Sequence, residues 1–67
     1  MPPQIRKLKA SLSKAGFSMR PGKGSHTVWK HHSLPGLEIT LSGGDGDDAK
    51  PYQLKDVQNA LKQLGGK

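Results

Sequence analysis

The segment Gly22-Lys23-Gly24-Ser25-His26 runs directly into Thr27-Val28-Trp29-Lys30. Its glycines allow a tight turn and a close approach of the backbone to a ligand. The β-branched and aromatic residues that follow read as a strand. One imidazole therefore stands where a basic turn meets a strand, beside backbone amides and the Lys23 ammonium. Imidazole exchanges protons near neutrality, so it can act as both base and acid there. A phosphodiester suits this set. RNA carries its own nucleophile, the 2′-hydroxyl. Cleavage needs that hydroxyl deprotonated, the charge on the phosphorane stabilised and the leaving 5′-oxygen protonated. A histidine can move the protons, while lysines and backbone N–H groups hold the phosphate. Ser25 and Thr27 would add hydroxyl donors. The same residues also fit an ordinary strand histidine behind a common glycine turn.

His31 and His32, taken with His26, raise the question of a metal site. Adjacent strand residues point to opposite faces, and no carboxylate stands nearby at ligand spacing. Phosphate contact or plain surface placement is expected, with no metal and no cofactor. The loop Gly43-Gly44-Asp45-Gly46-Asp47-Asp48 lacks the alternation and distant glutamate of an EF-hand. Its Asp47 and Asp48 are expected to favour the start of a following helix. Trp29 and Tyr52 are the large aromatics able to stack on bases. Trp29 either lies on an open sheet face, with Val28 inside, or fills the core itself.

Charge is divided along the chain, with a net of +6. Arg6, Lys7, Lys9, Lys14, Arg20, Lys23 and Lys30 precede the first acidic residue, Glu38; Asp45, Asp47, Asp48 and Asp56 follow it. A basic half with three histidines suits a polyanionic ligand. A solvated lysine-rich surface would have the same composition. Charge alone does not separate RNA from DNA, or either from an acidic protein. With 67 residues and no cysteine, the chain makes one small domain, residues 1–67, with a marginal core and neither disulfide nor thiolate-bound metal. The lack of cysteine fits a reducing cytoplasm. No apolar run is long enough for a membrane span, and no signal-peptide pattern opens the chain.

The surrounding elements must position the turn. Ile5, Leu8, Leu12 and Ala15 form an apolar stripe, predicting a helix over Gln4 to Ala15 with Gly16 as its left-handed cap. Phe17 to Arg20 alternates as a short strand, with Phe17 and Met19 expected inside. Ser25 to His31 and Leu37 to Ser42 are the second and third strands. Pro51 opens a second helix, striped by Leu54, Val57, Leu61 and Leu64 and ended by Gly65 and Gly66. Short turns make the strands an antiparallel meander. Single stripes place both helices on one face of it. The expected class is α+β, a two-layer α-β-β-β-α domain whose layout resembles the double-stranded RNA-binding domain.

Lys23-Gly24-Ser25-His26, with His31 ending the strand, resembles the HicA family of small bacterial toxins. Gly46-Asp47-Asp48-Ala49-Lys50, followed by Tyr52-Gln53, is similar to a segment of one branch of that family. The opening helix ending in Gly16-Phe17 fits its lead-in. His32-Ser33-Leu34-Pro35 departs from the proline that often follows the second histidine there. The resemblance implies an endoribonuclease that cleaves messenger RNA without a metal and is neutralised by a HicB antitoxin. It also implies that His26 is the catalytic residue. Lys23, Arg20 and Lys30 would then hold phosphate, the amides near Gly24 and Ser25 would stabilise developing charge, and Lys7 and Lys14 would add outer contacts. Two other functions fit the same features: a non-catalytic RNA-binding module, and a protein-interaction domain with an acidic partner.

Overall fold

A computed structural model describes residues 2–65. The chain forms α1 (Ile5–Lys14), β1 (Ser18–Pro21), β2 (Thr27–Lys30), β3 (Ile39–Leu41) and α2 (Pro51–Gly65). The strands make one antiparallel sheet in the order β1-β2-β3. This is the expected α-β-β-β-α order. Gly66, expected to help end α2, lies outside the described residues, as does Met1.

Helix α1 buries Ile5, Leu8 and Leu12 of the stripe read from the sequence, and Ala15, just past its end, is half-buried against the same core. Its end follows from Gly16, which has φ +98°. Gly16 N–H donates to Ser13 C=O at 3.1 Å and Phe17 N–H to Leu12 C=O at 3.0 Å. That pair of bonds is a Schellman motif, and it drops Phe17 into the core beside Leu12. The start of α1 is capped from far along the chain. Gln4 offers no side-chain cap. Instead Ile5 N–H donates to Asp47 C=O at 2.8 Å and Arg6 N–H to Asp45 C=O at 3.2 Å. Lys9 Nζ also reaches Asp45 Oδ1 at 2.8 Å. The acidic loop thus serves α1 rather than α2, whose first turn holds no acidic residue.

At α2 the start is secured by Gln53, which is 2% exposed. Its Oε1 accepts the Lys50 N–H at 2.8 Å, the backward half of a capping box, with Pro51 as the first helical residue. Val57 and Ala60 are buried, and Leu54, Leu61 and Leu64 pack against the same core. Among the described residues no helix is long and apolar enough to cross a membrane.

Pairing fixes the faces of the sheet. Trp29 stands opposite Met19 and Ile39, and Thr27 opposite Leu41. Trp29, Ile39 and Leu41 are buried in one cluster with residues of both helices. Trp29 is therefore core, and Val28, Lys30, Arg20 and Thr40 take the other, open face. Met19 shares the parity of Trp29 but is 53% exposed. The expectation that it is buried fails because α2 packs against β3 and α1, leaving the whole β1 edge exposed.

The second strand is shorter than Ser25–His31, so His31 and His32 do not project to opposite faces. They lie in the turn after β2, with ring centroids 4.6 Å apart and planes 20° from parallel. His31 Nδ1 accepts the Ser33 N–H at 3.0 Å. The other ring nitrogen, Nε2, then carries the proton and donates to Ala15 C=O at 3.2 Å. An edge contact with Phe17 completes the clamp, at a centroid distance of 5.0 Å. His31 thus ties the end of α1 to the end of β2. His31→Ala is expected to lower the unfolding free energy by about 1–3 kcal/mol. A urea titration that shows a loss under about 0.5 kcal/mol would mean that these bonds only replace ones to water.

Candidate functional site

His26 is held in a turn that its side chain does not help to build. Its N–H donates to Lys23 C=O and its C=O accepts the Gly22 N–H, each at 2.9 Å. Gly24, second in that β-turn, has φ +59°, a region that glycine enters without strain. A Cβ on Gly22 would lie 3.3 Å from His26 Cβ, so the bare backbone there is what lets the histidine pass close by. The His26 residue is exposed. No hydrogen bond or ion pair engages its ring among the described residues. Lys23, Gly24 and Ser25 are exposed with it. The expected turn residues are therefore together, with His26 before the strand rather than within it.

A second loop holds this turn in place. Ser25 Oγ accepts the Gly43 N–H at 3.1 Å. Gly43 has φ +105°, and a Cβ there would approach Asp47 Oδ2 to 3.2 Å. That carboxylate oxygen accepts the Gly44 N–H at 2.8 Å. On the preceding residue, Ser42 C=O and Oγ accept from Gln53 Nε2 at 3.2 and 3.3 Å. Sequence reasoning missed Gln53. Its one signal was a glutamine in the first turn of a helix behind Lys50-Pro51, where it can reach back to the free amide.

Arg20 and Lys30 do share a surface, the open sheet face. They share it with Glu38, whose Oε2 lies 3.7 Å from both Arg20 Nη2 and Lys30 Nζ. All of these groups are exposed, so the ion pairs are weak and readily exchanged. Lys7 and Lys14 belong to the helix layer. Lys7 is in the first turn of α1, at the end held by the acidic loop. Lys14 is at the other end, next to Ala15 and the His31 clamp. The structure therefore does not bring Lys14 to His26. Thr27 turns away as well, its Oγ1 accepting the Trp29 Nε1–H at 2.9 Å. Of the two aromatics considered for stacking, Trp29 is buried and Tyr52 is 56% exposed. His26 stands before β2 and His31 and His32 after it, and no group of three or more His, Cys, Asp or Glu is placed to hold a metal ion among the described residues.

The fold and the turn define a small α+β domain that exposes His26 at the end of a glycine turn, beside a mostly basic sheet face. The family model described as the HicA toxin of bacterial toxin-antitoxin matches residues 5–65. That span runs from the first residue of α1 to the last of α2. The chain belongs to the HicA family and is the toxin of a toxin–antitoxin system, a class that implies an antitoxin partner. No curated protein and no solved structure matches it.

Proposed function

We propose that this toxin is an endoribonuclease that cleaves messenger RNA in the cytoplasm and is neutralised by a HicB-type antitoxin, with residues 1–67 as its single domain. The observation that carries the proposal is the exposed His26 ring, without a side-chain partner among the described residues, on a turn beside Lys23. Such a ring is free to trade a proton with a substrate. In the reaction, His26 takes the proton of the 2′-hydroxyl as the O2′–P bond forms. The P–O5′ bond breaks, and the same proton goes to the departing 5′-oxygen. The products are a 2′,3′-cyclic phosphate and a 5′-hydroxyl, and the protons balance without a metal or a cofactor.

Lys23, with Arg20 and Lys30 along the open face, holds the backbone of the RNA. The amides around Gly24 and Ser25 oppose the charge that grows on the phosphorane. The Ser25 hydroxyl accepts from Gly43 and keeps its own proton to donate. Lys7 and Lys14 enter only as contacts to RNA that extends past the turn. The test is incubation of labelled RNA with wild type and His26→Ala in excess chelator, reading cleavage and end groups. Cleavage by wild type alone, leaving cyclic or 3′-phosphate ends, supports the proposal. Binding without cleavage by either protein would support an RNA-binding module instead.

Glu38 should oppose RNA binding, because its carboxylate sits between the two basic groups that would meet phosphate. Glu38→Gln is expected to tighten binding of a single-stranded RNA by about two- to fivefold at low salt, with a steeper fall of affinity as salt rises. Fluorescence anisotropy across a salt series reads both effects. Unchanged affinity would mean that RNA does not cross the open face.

A further inference from the structure

We propose that Gln53 is a positioning residue for His26, acting through the Ser42–Gly43 peptide and the Ser25 hydroxyl. The inference rests on the ribonuclease reading above. Gln53 is the one buried polar side chain among the described residues. A cap on α2 explains its Oε1, which accepts from Lys50. It does not explain why the other end of the amide donates to Ser42.

The geometry of the peptide supplies the reason. Ser42 C=O and Gly43 N–H belong to one planar unit, and in a trans peptide they point in opposite directions. Gln53 Nε2 holds the carbonyl end at 3.2 Å. Ser25 Oγ holds the amide end at 3.1 Å. A rigid plate is therefore gripped at one end by the buried face of α2 and at the other by the residue before His26. Rotation of the plate would break both bonds together. Gly43 makes the arrangement possible, since its φ of +105° lets the chain leave β3 at this angle. The turn around His26 is otherwise exposed from Pro21 onward and closed by its own two backbone bonds. Beyond the β1–β2 ladder that flanks the turn, the plate is what ties it to α2.

Without Gln53 the plate turns, the Gly43–Ser25 bond weakens, and His26 samples a wider range of positions. A proton-transfer group that must sit within hydrogen-bond reach loses rate when it wanders. Binding of the RNA backbone by Lys23 and the sheet face changes little. The effect should appear in kcat rather than KM.

The test uses Gln53→Met, Ser25→Ala and the double variant, with Ser25→Thr as the conservative control. Each single variant is expected to lower kcat for RNA cleavage by about tenfold at little cost in KM, and Ser25→Thr to recover most of it. In the double variant the losses should not multiply, because both substitutions cut one path. Full multiplication would overturn the proposal, since it would mean that Ser25 acts only through its own contact with phosphate. Ser25 is exposed, so its variants report even if Gln53→Met fails to fold: wild-type kcat in Ser25→Ala overturns the proposal as well. Amide hydrogen exchange gives a readout apart from activity. Gln53→Met should speed exchange at Gly43 and His26 although Ser25 is intact. Unchanged exchange overturns the link itself. Wild-type protein that leaves RNA intact overturns the ribonuclease reading and with it the catalytic half of this one, a result distinguishable by the exchange data.

Discussion

His26→Ala is expected to lose RNA cleavage by about a thousandfold while unfolding at the same urea midpoint as wild type. The two halves of this result have separate causes. Activity falls because proton transfer from the 2′-hydroxyl and to the 5′-oxygen has no other group at hand. Lys23 is cationic and suited to holding phosphate, not to accepting a proton. Stability persists because the bonds that close the turn, Gly22 N–H to His26 C=O and His26 N–H to Lys23 C=O, are made by the backbone. Alanine keeps both of them and also the Cβ that lies beside Gly22.

The comparison with Lys23→Ala sharpens the assignment. Lysine removal takes away binding and charge stabilisation but leaves the proton path, so cleavage should fall by about tenfold and binding should weaken alongside it. His26→Ala should bind RNA nearly as wild type does. A folded His26→Ala protein that still cut RNA, or still arrested growth when expressed, would remove His26 from the mechanism.

Legibility of the fold varied with how local each cause was. Gly16 was readable because a helix stripe ending in glycine has one common outcome, and the structure supplies it down to the Schellman bonds. The histidine turn was readable for a similar reason: glycines on either side of Lys23 set the backbone whatever packs around them. Strand parity was not readable at Val28-Trp29. Both residues are apolar, so alternation gives no direction, and only pairing with Ile39 and Met19 decides it. Met19 misled because alternation tells which face a residue takes, not whether a helix covers that part of the face. Asp47 and Asp48 misled because they precede α2 in the chain, whereas the carbonyls of Asp45 and Asp47 meet α1 in space. The Gln53 bonds to Ser42 and the Glu38 ion pairs depend on contacts between separate segments, which no local pattern contains; only the Gln53 bond to Lys50 was local. The family resemblance, by contrast, rested on two short motifs that the fold separates into a turn and a helix approach, and the family match over residues 5–65 bears it out.

Trp29→Ala should unfold the domain near room temperature. The single core of a 67-residue chain without a disulfide supplies about 3–5 kcal/mol of stability. Emptying a buried tryptophan site costs about 3–5 kcal/mol through lost burial and the cavity left behind. Trp29 is 5% exposed, at the centre of the middle strand between Met19 and Ile39. Its indole N–H is also bonded to Thr27, so the ring is fixed as well as buried. No disulfide is present to hold the chain together when that contact goes. Trp29→Phe keeps an aromatic ring and loses the hydrogen bond, and it should remain folded with a loss of about 1–2 kcal/mol. It also tests function, because a buried ring cannot stack on a base. Trp29→Phe is therefore expected to cleave RNA within about threefold of wild type when measured well below its melting temperature. Circular dichroism is the suitable probe of unfolding, since the only tryptophan is the residue replaced. A cooperative melt of Trp29→Ala close to that of wild type would place the indole outside the core and return it to the open face as a stacking platform.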